Sequence, residues 1–587
     1  MSLKFDSKDI WAINFNRTDL TELVLDGVIV WQNPFTFTKN SDSTYAVKRT
    51  TDASGDYVAA PSNCAIPAKF NNIQVTAISA NGFKDGGTLQ VIIPEGVTTI
   101  GFAAFENCYN LTSVDLPDSL STIGGRAFAD CTKLNDIEIH DNVTSVDSFA
   151  FQNCSSLARL IIPSSVTSIG KQVFEGCAKL EIHCEVASKP EEWSDAWNPD
   201  NRPVYWLGNF TFSITYGKTT YEVAAKSTDI TGSFTIPSEY KTKAVTLIAK
   251  DGFKGCTQLE NIVLPESITS IKSYAFSECS SLKSCNIPAS VTSINLQAFK
   301  NCHALESVSI SEDSQLTEIG QEAFRYCDSL SFMCIPDSVT SMGTHVFCDC
   351  TALTSVQLSD NLESLPTVAF ANTGLTSITI PRSVKFIGSQ CFLNCHSLTS
   401  VDIRDQELEE IGQDAFNYCE KLTTINIPSS VKAIGPSAFS NCWELSSDIT
   451  IPDEVTTIGS NAFFHCKSIP SVTIGNQVNH IGYQAFCGCE TLTSVEIPAN
   501  VEQIDHSAFR DCSSLETVTL TKNLQYLGEE AETDTVQAVF YGCDNLTEII
   551  FYGTPEEFAD IPKGPCTEQW LLDRRSSGKL SFTYKSI

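Results

Sequence analysis

The sequence has 587 residues, of which 38 are Lys or Arg and 70 are Asp or Glu, giving a formal net charge of -32. A chain this acidic lacks the basic footprint that phosphate neutralisation needs, which argues against a nucleic-acid partner. With 42% hydrophobic and 18% charged residues the chain can bury a large core. No apolar run approaches the roughly 18 residues of a membrane-spanning helix, so no transmembrane segment is predicted.

The first 34 residues show the alternation of a β-hairpin. In IWAINFNRTDLTELVLDGVIVWQN, apolar and polar residues alternate around Asp26-Gly27, a dipeptide that favours a two-residue turn. The start, MSLKFDSKDIW, has no basic stretch followed by an apolar one, so no secretory signal is expected in this chain. Residues 1–34 are therefore interpreted as an additional edge strand or hairpin of the first cap. The alternative is an attachment segment, since DGVIVW is loosely similar to N-terminal pieces of phage tail and adhesion proteins.

A repeat of 22 to 25 residues governs most of the chain. Such a fixed period marks a solenoid or a propeller, in which each unit buries its apolar edge against its neighbours. Two series of phenylalanines predict arrays of five and thirteen coils. The phenylalanines stand at 83, 105, 128, 151 and 174, and then at 253, 276, 299, 324, 347, 370, 392, 416, 439, 463, 486, 509 and, after a longer step, 540.

Each repeat predicts two short strands and a turn, as in AFENCYNLTSVDLPDSLSTIG (104–124). The alternation in LTSVDLP predicts a strand with Val114 and Leu116 facing inward, and Pro117 ends it because proline has no backbone N–H. A second short extended piece follows, with Ile123 facing inward. The AFxxC segment is expected to place its phenylalanine in the core as one helical or 3₁₀ turn.

The pattern AFxxCxxLxxVxIPxSVTxIG resembles the BspA-like leucine-rich repeats of bacterial and protist surface proteins, and the resemblance covers residues 78–184 and 248–551. It implies an α/β repeat solenoid: curved leucine-rich-repeat arrays with short parallel β-strands and β-rich N-terminal caps. The departures are small. Gly86 and Thr373 replace the repeated cysteine, and one extra residue precedes the strand near residue 448.

Two interruptions of the repeat indicate a duplicated module. Residues 185–208 contain Trp193, Trp197 and Trp206, and the last segment contains Trp570, so both are interpreted as caps over exposed coil ends. Similar strand-rich stretches, FTFTKNSDSTYAV and FTFSITYGKTTYEV, precede the two arrays. The predicted organisation is an N-terminal strand or attachment segment (1–34), a β cap (35–77), a first array (78–184), a cap or linker (185–208), a second β cap (209–247), a second array (248–551) and a C-terminal cap (552–587).

Sixteen of the 24 cysteines follow a phenylalanine by three residues. No CxxC pair occurs, and the CxC steps at 348/350 and 487/489 have no matching pair nearby, so a metal site is not favoured. Stacked thiols about 5 Å apart have parallel side-chain vectors that disfavour bridging. We interpret the series as a ladder of small, buried, free thiols, with disulfides or a metal site as the alternatives.

The sequence contains no recognisable catalytic or cofactor-binding motif. The histidines mostly occupy different repeat positions, and His303 and His396, which share one, are four coils apart, roughly 20 Å at the strand spacing. Nucleophile elbows, HExxH motifs, and phosphate-binding and dinucleotide-binding loops are missing. We predict no enzyme, no catalytic residue, no metal and no cofactor. A Cys/His pair brought together only by folding is the alternative.

The candidate functional surface is the strand face that points outward between the core positions. Small polar residues predominate there, and solenoids use such adjacent strands for docking. The competing interpretation is a solvated face chosen for solubility and β propensity. Ile161 and His183 belong to the same column in the first array. The candidate ligand-facing residues are Asp115, Glu138, Gln357, Thr379, Asp402, Asn426, Thr450, Thr473 and Glu496.

The leading hypothesis is a non-enzymatic binding or adhesion protein that displays the solenoid surface to a protein or cell-surface ligand. It follows from the missing catalytic motifs and from the resemblance, whose family is implicated in attachment to host proteins and cells. The resemblance also implies a secreted, extracellular or cell-surface location. The alternative is a virion or injection-apparatus component of the tail or receptor-binding type, anchored by residues 1–34. The oligomeric state is not predicted.

Overall fold

The structure, a computed structural model, describes residues 22–25, 28–32, 34–51, 56, 58, 62–404, 407–528 and 537–585. The chain divides into two compact units, Met1–Asn209 (the first unit) and Phe210–Ile587 (the second unit). Both contain short parallel strands stacked coil on coil, so the predicted repeat solenoid is confirmed. Among the described residues, α-helix occurs only near the C-terminus.

The strands of the first unit follow one another along the chain as very short segments, and a 3₁₀ turn at Leu207–Asn209 follows them. They are β1 (Glu22–Leu25), β2 (Val28–Gln32), β3 (Phe35–Lys39), β4 (Tyr45–Arg49), β5 (Asn63–Ala65), β6 (Lys69–Phe70), β7 (Ile73–Ile78), β8 (Gln90–Ile92), β9 (Thr99–Ile100), β10 (Ser113–Asp115), β11 (Thr122–Ile123), β12 (Asp136–Ile137), β13 (Ser145–Val146), β14 (Arg159–Ile162), β15 (Ser168–Ile169), β16 (Glu181–Cys184) and β17 (Val204–Trp206).

The second unit continues the same alternation of strands and ends with two helices and a last strand. The elements are β18 (Phe210–Ile214), β19 (Tyr221–Ala225), β20 (Gly232–Thr235), β21 (Glu239–Tyr240), β22 (Lys243–Ile248), β23 (Leu259–Val263), β24 (Ser270–Ile271), β25 (Ser284–Ile287), β26 (Ser293–Ile294), β27 (Ser307–Ile310), β28 (Glu318–Ile319), β29 (Phe332–Cys334), β30 (Ser341–Met342), β31 (Ser355–Gln357), β32 (Ser364–Leu365), β33 (Ser377–Ile380), β34 (Phe386–Ile387), β35 (Ser400–Ile403), β36 (Glu410–Ile411), β37 (Thr424–Ile425), β38 (Ala433–Ile434), β39 (Ile449–Thr450), β40 (Thr457–Ile458), β41 (Val472–Thr473), β42 (His480–Ile481), β43 (Ser494–Glu496), β44 (Gln503–Ile504), β45 (Thr517–Thr521), β46 (Tyr526–Leu527), β47 (Glu548–Tyr552), α1 (Pro555–Asp560), α2 (Pro565–Ser576) and β48 (Ser581–Lys585).

Three backbone ladders join each coil to the next. The long-strand ladder runs through strands such as β8, β10 and β12, and the short-strand ladder through β9, β11, β13 and β15, all parallel. A third, the turn ladder, is formed by the AFxxC segments: Phe105 N–H donates to Ala127 O at 2.7 Å and Asn107 N–H to Ala129 O at 2.9 Å. Because these bonds lie between coils, each coil depends on its neighbours for its backbone partners.

The AFxxC segment is not helical, and the expectation of a helical or 3₁₀ turn is wrong. A residue with positive φ lies on each side of the phenylalanine, as at Arg126 (φ 57°) and Asp130 (φ 61°) around Phe128. Left-handed residues interrupt a right-handed helix. With left-handed residues on both sides of the phenylalanine, the backbone N–H groups of this segment point toward the next coil. Phe128 N–H, for example, donates to Ala150 O at 2.8 Å.

Val368 is strained by this geometry, because a β-branched residue at φ 60° clashes with its own backbone. Its half-buried side chain leaves room for replacement. We expect Val368→Asn to raise the free energy of unfolding by about 0.5–1 kcal/mol, since Asn tolerates the left-handed region. Urea denaturation measures the change, and Val384→Asn, in the core outside the left-handed turn, should destabilise. An unchanged or lowered midpoint for Val368→Asn would contradict the strain argument.

The repeated phenylalanines form one continuous stack through the core of each array. Neighbouring rings lie 5.1 to 5.9 Å apart between centroids and are nearly parallel, at 2° to 19°. The rings lie close together because each occupies one step of the coil stack, whose parallel ladders repeat about every 4.8 Å. Offset-stacked rings add about 0.5–1.5 kcal/mol per pair to the burial of their area.

The repeated cysteines provide a second hydrogen bond to the phenylalanine carbonyls. Phe105 O accepts from Cys108 N–H of its own coil at 3.2 Å and from the Cys131 thiol of the next coil at 3.2 Å. All 24 cysteines are unbridged, and all except Cys334 are buried. Where Thr373 replaces the cysteine, its hydroxyl donates to Phe370 O of its own coil at 2.8 Å, and the Cys395 thiol of the next coil donates to the same oxygen at 3.2 Å. Burial raises the pKa of most of these thiols, so they stay protonated donors.

In each unit an antiparallel hairpin precedes the first coil and adds to the short-strand ladder. In the first unit β3 pairs with β4 and β4 with β7; in the second, β18 pairs with β19 and β19 with β22. These are the β-rich N-terminal caps expected from the sequence. β1 and β2 form a separate antiparallel pair, and the predicted turn at Asp26-Gly27 lies outside the described residues.

In both units, side chains beyond the last coil accept backbone N–H groups of that coil. In the first unit Asp200 accepts from Gly176 N–H at 2.8 Å, and this bond, helped by Arg202, lowers the pKa of its carboxyl. In the second unit Val539 N–H donates to the Thr567 hydroxyl of α2 at 3.2 Å. These side chains replace the missing next coil, as a capped solenoid requires.

A largely buried carboxylate links three coils on the turn side of the first array. Glu106 lies 2.5 Å from the Lys84 ammonium and 2.9 Å from Arg126 Nε. Burial alone would raise its pKa, but the hydrogen bonds from Lys84 and Arg126 outweigh that effect and hold the pKa below its ordinary value. The ion pairs therefore stabilise the folded unit whenever Glu106 is ionised.

Glu106→Gln tests this network through its pH dependence. Since the pKa of Glu106 is lower in the folded than in the unfolded chain, its contribution is complete above the unfolded value of about 4.5 and is lost as pH falls below it. We expect the substitution to lower the free energy of unfolding by about 1–3 kcal/mol at pH 7. Denaturation at several pH values should show the difference shrinking in acid. A difference in unfolding free energy between the two proteins that does not change with pH would contradict the role of the ionised Glu106.

Candidate ligand-binding surface

The nine candidate residues lie on the strand face, which is the solvent side of the long-strand ladder. Eight of them are exposed and Thr379 is half-buried. Their register places side chains of neighbouring coils side by side, as in the pairs Thr379–Asp402 and Thr450–Thr473. Asp115 and Glu138 belong to the first unit and the other seven to the second, so the structure gives two separate surfaces.

In the first unit, Asp115 and Glu138 line a groove of about 380 Å³ together with Ile92, Asp136 and His140; we call it the acidic groove. Within the described chain, Asp115, Asp136 and Glu138 form no ion pair. The imidazole Nε2 of His140 lies 2.7 Å from Leu116 O, which holds the ring at the groove's edge. Three unpaired carboxylates beside an exposed isoleucine suit a ligand that combines positive charge with apolar surface.

In the second unit, Gln357 and Thr379 line a groove of about 360 Å³ with Asp337, Asp360 and Arg404; we call it the polar groove. Arg404 Nη1 lies 3.5 Å from Asp360 Oδ1, and both side chains are more than half exposed. An exposed pair of this kind adds little stability, so both groups remain accessible to a ligand. Amide, hydroxyl and guanidinium groups here provide both donors and acceptors.

The remaining candidates extend the strand face away from the polar groove. Asp402 stands next to Thr379 in the adjacent strand, and Asn426 follows the end of β37. Thr450 and Thr473 are paired neighbours, and Glu496 ends β43. The surface is therefore polar and weakly charged over these coils, with hydrogen-bonding groups in regular rows.

Two exposed apolar residues on this face were missed from the sequence. Ile92 is 51% exposed and lies in register with Asp115, and Phe332 is 50% exposed in the strand next to that of Gln357. The VxIP pattern around Ile92 contained the necessary signal. Phe332 lies two residues before Cys334, the residue of its strand that aligns with Gln357, so it is outside the column of candidate residues. Aromatic residues such as Phe332 are enriched at protein interfaces.

His183, placed by sequence in the outward column, is buried, and that expectation is wrong. Only 2% of it is exposed, because its strand pairs with β17 and the Tyr205 ring lies 4.7 Å away. Burial lowers the pKa of His183 to about 4. It is a neutral part of the cap between the last coil and Trp206 rather than part of the surface.

His303 and His396, which share a repeat position, form no joint site in the described structure. His303 Nδ1 lies 2.6 Å from Asp328, whereas His396 Nδ1 lies 3.5 Å from Glu420, so each faces a different carboxylate. No group of three or more His, Cys, Asp or Glu residues in these ranges is arranged to hold a metal. The described helices include none that is long and apolar enough to cross a membrane.

The fold is a leucine-rich-repeat solenoid. Its short parallel strands repeat every 22 to 25 residues, and leucines, isoleucines and phenylalanines fill the interior of the coils. The sequence matches the BspA type leucine rich repeat region over residues 76–192, 226–350, 317–446 and 432–560. The chain belongs to this family.

Solved structures with similarity to the chain include several bacterial proteins. One from Bacteroides ovatus is 28% identical over 64% of this chain and 98% of its own, with a TM-score of 0.46. A leucine rich cell surface protein from Faecalibacterium prausnitzii is 26% identical over 61% and 97%, with a TM-score of 0.40. The pneumococcal vaccine antigen PcpA is 19% identical over 65% and 98%, with a TM-score of 0.39. No curated protein matches the sequence.

Proposed function

We propose that the protein is a non-enzymatic binding protein that presents its strand face to a protein or cell-surface ligand outside the cell. The observation that carries the proposal is the coincidence of the candidate residues with two grooves: Asp115 and Glu138 in one, Gln357 and Thr379 in the other. Both grooves lie on rigid stacked strands, which keeps their side chains in place for docking.

The two grooves favour different parts of a ligand. The acidic groove offers unpaired carboxylates and Ile92, which complement basic and apolar side chains. The polar groove offers hydrogen-bonding groups close to the exposed Phe332. A protein ligand supplies both kinds of group, whereas sugar stacking needs an aromatic row, and the outward column of candidate residues contains no aromatic side chain.

The test is binding of the labelled full chain to immobilised host matrix proteins, animal cells and bacterial cells. Saturable binding to host proteins or cells supports an adhesin. Binding confined to bacterial cells favours the virion alternative, in which residues 1–34 anchor the protein. No saturable binding to any of these surfaces would contradict a docking role for the strand face.

Variants then locate the surface. Glu138→Lys in the acidic groove and Thr379→Arg in the polar groove should each weaken binding about tenfold or more if the ligand covers that groove. Gln413→Arg is the matched control, because Gln413 is exposed but follows Gly412 on the turn side of its coil. Equal losses for all three variants would show that the strand face is not the contact surface.

A further inference from the structure

A protruding cluster of apolar and basic side chains lies at the N-terminal cap of the second unit. Residues 215–220 connect β18 to β19, and in this turn Tyr216 is fully exposed (107% of its reference area) with Ile214 45% exposed beside it. The turn is a defined structure: Thr215 N–H donates to Thr220 O at 2.9 Å and Lys218 N–H to Thr215 O at 2.8 Å. An ordered turn thus presents an aromatic ring to solvent.

A second turn, between β21 and β22, lies against the first and adds positive charge. Lys243 Nζ donates to Lys218 O at 2.8 Å, and the Lys241 ammonium lies 5.5 Å from the centroid of Tyr240. Tyr240 in turn stacks on Phe212 at 4.2 Å, two residues behind Ile214 on β18. Ile214, Tyr216, Lys218 and Lys241 are exposed, and Lys243 is half-buried. We call this set the basic–aromatic tip (Ile214, Tyr216, Lys218, Lys241 and Lys243).

The tip is positive in a protein whose net charge is -32. Residues 210–221 contain no Asp or Glu. The next carboxylate, Glu222, is held by Lys272 at 2.8 Å, and Glu239 stands at the base of the second turn. Lys218 and the Lys243 ammonium, which donates to Lys218 O, therefore place two positive charges at a turn whose own residues include no carboxylate.

The corresponding hairpin of the first unit provides an internal comparison. Its turn, residues 40–44, carries Asp42, whose carboxylate accepts from Thr44 N–H at 3.0 Å, so the turn is polar and closed on itself. Lys39 stands where the second unit has Ile214. The same scaffold therefore forms without an exposed aromatic ring, and Tyr216 is not needed for the fold of the hairpin.

The second turn repeats this contrast and includes backbone strain. The first unit uses Asn71 (φ 51°) and Asn72 (φ 60°), which tolerate the left-handed region. The second unit has Lys241 (φ 44°) and Thr242 (φ 63°) there, and a β-branched residue at positive φ is costly. Strain retained where a better sequence exists in the same chain indicates that the residues serve another purpose.

We propose that the basic–aromatic tip binds reversibly to the surface of an anionic phospholipid bilayer. Tyrosine is favoured at the membrane interface, where its ring is buried and its hydroxyl stays hydrated. Isoleucine adds apolar area beside it, and lysines close to such apolar side chains are attracted to the lipid phosphates. The basic–aromatic tip is a protruding turn and not a pocket, and a bilayer can deform around such a protrusion. The tip is distinct from the strand face, so a negative result in the membrane-binding test leaves the proposed function intact.

The test is co-sedimentation of the full chain with vesicles of phosphatidylcholine containing about 30% phosphatidylglycerol, compared with pure phosphatidylcholine. We expect binding only to the anionic vesicles and a loss of binding at about 0.5 M salt. Lys218→Gln and Lys243→Gln should each lower the partition coefficient about fivefold, and Tyr216→Ser by a similar factor. Undetectable binding at low salt would overturn the proposal.

The decisive variant replaces the seven residues 214–220 with the six residues KNSDST (39–44), which close the corresponding hairpin of the first unit. It should abolish binding, whereas Tyr109→Ser, a tyrosine 54% exposed in the first unit, should leave it unchanged. Circular dichroism confirms that each variant is folded. Binding that survives the replacement would overturn the proposal. So would tip-dependent binding that is stronger to immobilised poly-L-glutamate than to vesicles, because it would assign the tip to an acidic protein.

Discussion

Phe416→Ala should lower the free energy of unfolding of the second unit by about 3–5 kcal/mol, the cost of removing a large buried side chain. The Phe416 ring is fully buried and lies 5.1 Å from that of Phe392 and 5.4 Å from that of Phe439. Its removal therefore creates a cavity and interrupts the stack at once. Neighbouring rings cannot close the gap, because the ladders on three sides fix the coil spacing.

The measurement is urea denaturation followed by circular dichroism, with two matched variants. Phe416→Leu retains most of the volume and should cost about 1–2 kcal/mol. Thr379→Ala, on the strand face, should change stability by no more than about 0.5 kcal/mol. A comparable cost at both Phe416 and Thr379 would show that the inward and outward positions of the coil have been assigned wrongly.

The stack also explains why so much of the fold could be predicted from one sequence. A phenylalanine every 22 to 25 residues specifies the coil length, and a proline such as Pro117 after the longer strand fixes where that strand stops. An uncertain strand assignment in one coil can be corrected from the next coil, because neighbouring strands must stay in register to pair. The inward and outward positions of β10 therefore followed from alternation alone.

The conformation of the turn ladder could not be predicted in the same way. Composition gives little signal there, since Asn107 and Asp130 favour the left-handed region but Tyr326 and Tyr418 adopt it as well. Their conformation follows from hydrogen bonds between coils, such as Tyr418 N–H to Ser440 O at 2.9 Å, which local propensity does not contain. The helical prediction failed because a tertiary contact outweighed local preference.

For the candidate surface, the sequence predicted only which strand residues point outward. Alternation identified Asp115 and Gln357 as outward positions, but it carried no information on what covers them. His183 has the same pattern and is buried, because the next strand along its ladder places Tyr205 on it. The groove around Thr379 similarly includes Arg404 from the following coil segment, a contact set by the stacking of three coils.

The tryptophan cap of the first unit shows how a solenoid end is stabilised. Trp193 is 1% exposed, its indole N–H donates to Val166 O at 3.1 Å, and its ring lies 5.2 Å from that of Trp197. Trp197 meets the last ring of the phenylalanine stack, Phe174, edge-on at 6.0 Å. The two indoles thus cover an apolar coil end that would otherwise face water.

Trp193→Ala should therefore lower the free energy of unfolding of the first unit by about 3–5 kcal/mol while leaving the second unit unchanged. The loss combines a large cavity with the hydrogen bond to Val166 O. Because stability in a solenoid passes between neighbours, hydrogen exchange should accelerate first in the coil of Phe174 and spread toward earlier coils. Trp443→Ala, a tryptophan 39% exposed in the second unit, is the control and should cost about 1 kcal/mol or less. Unchanged protection around Phe174 would show that the cap does not hold the array closed.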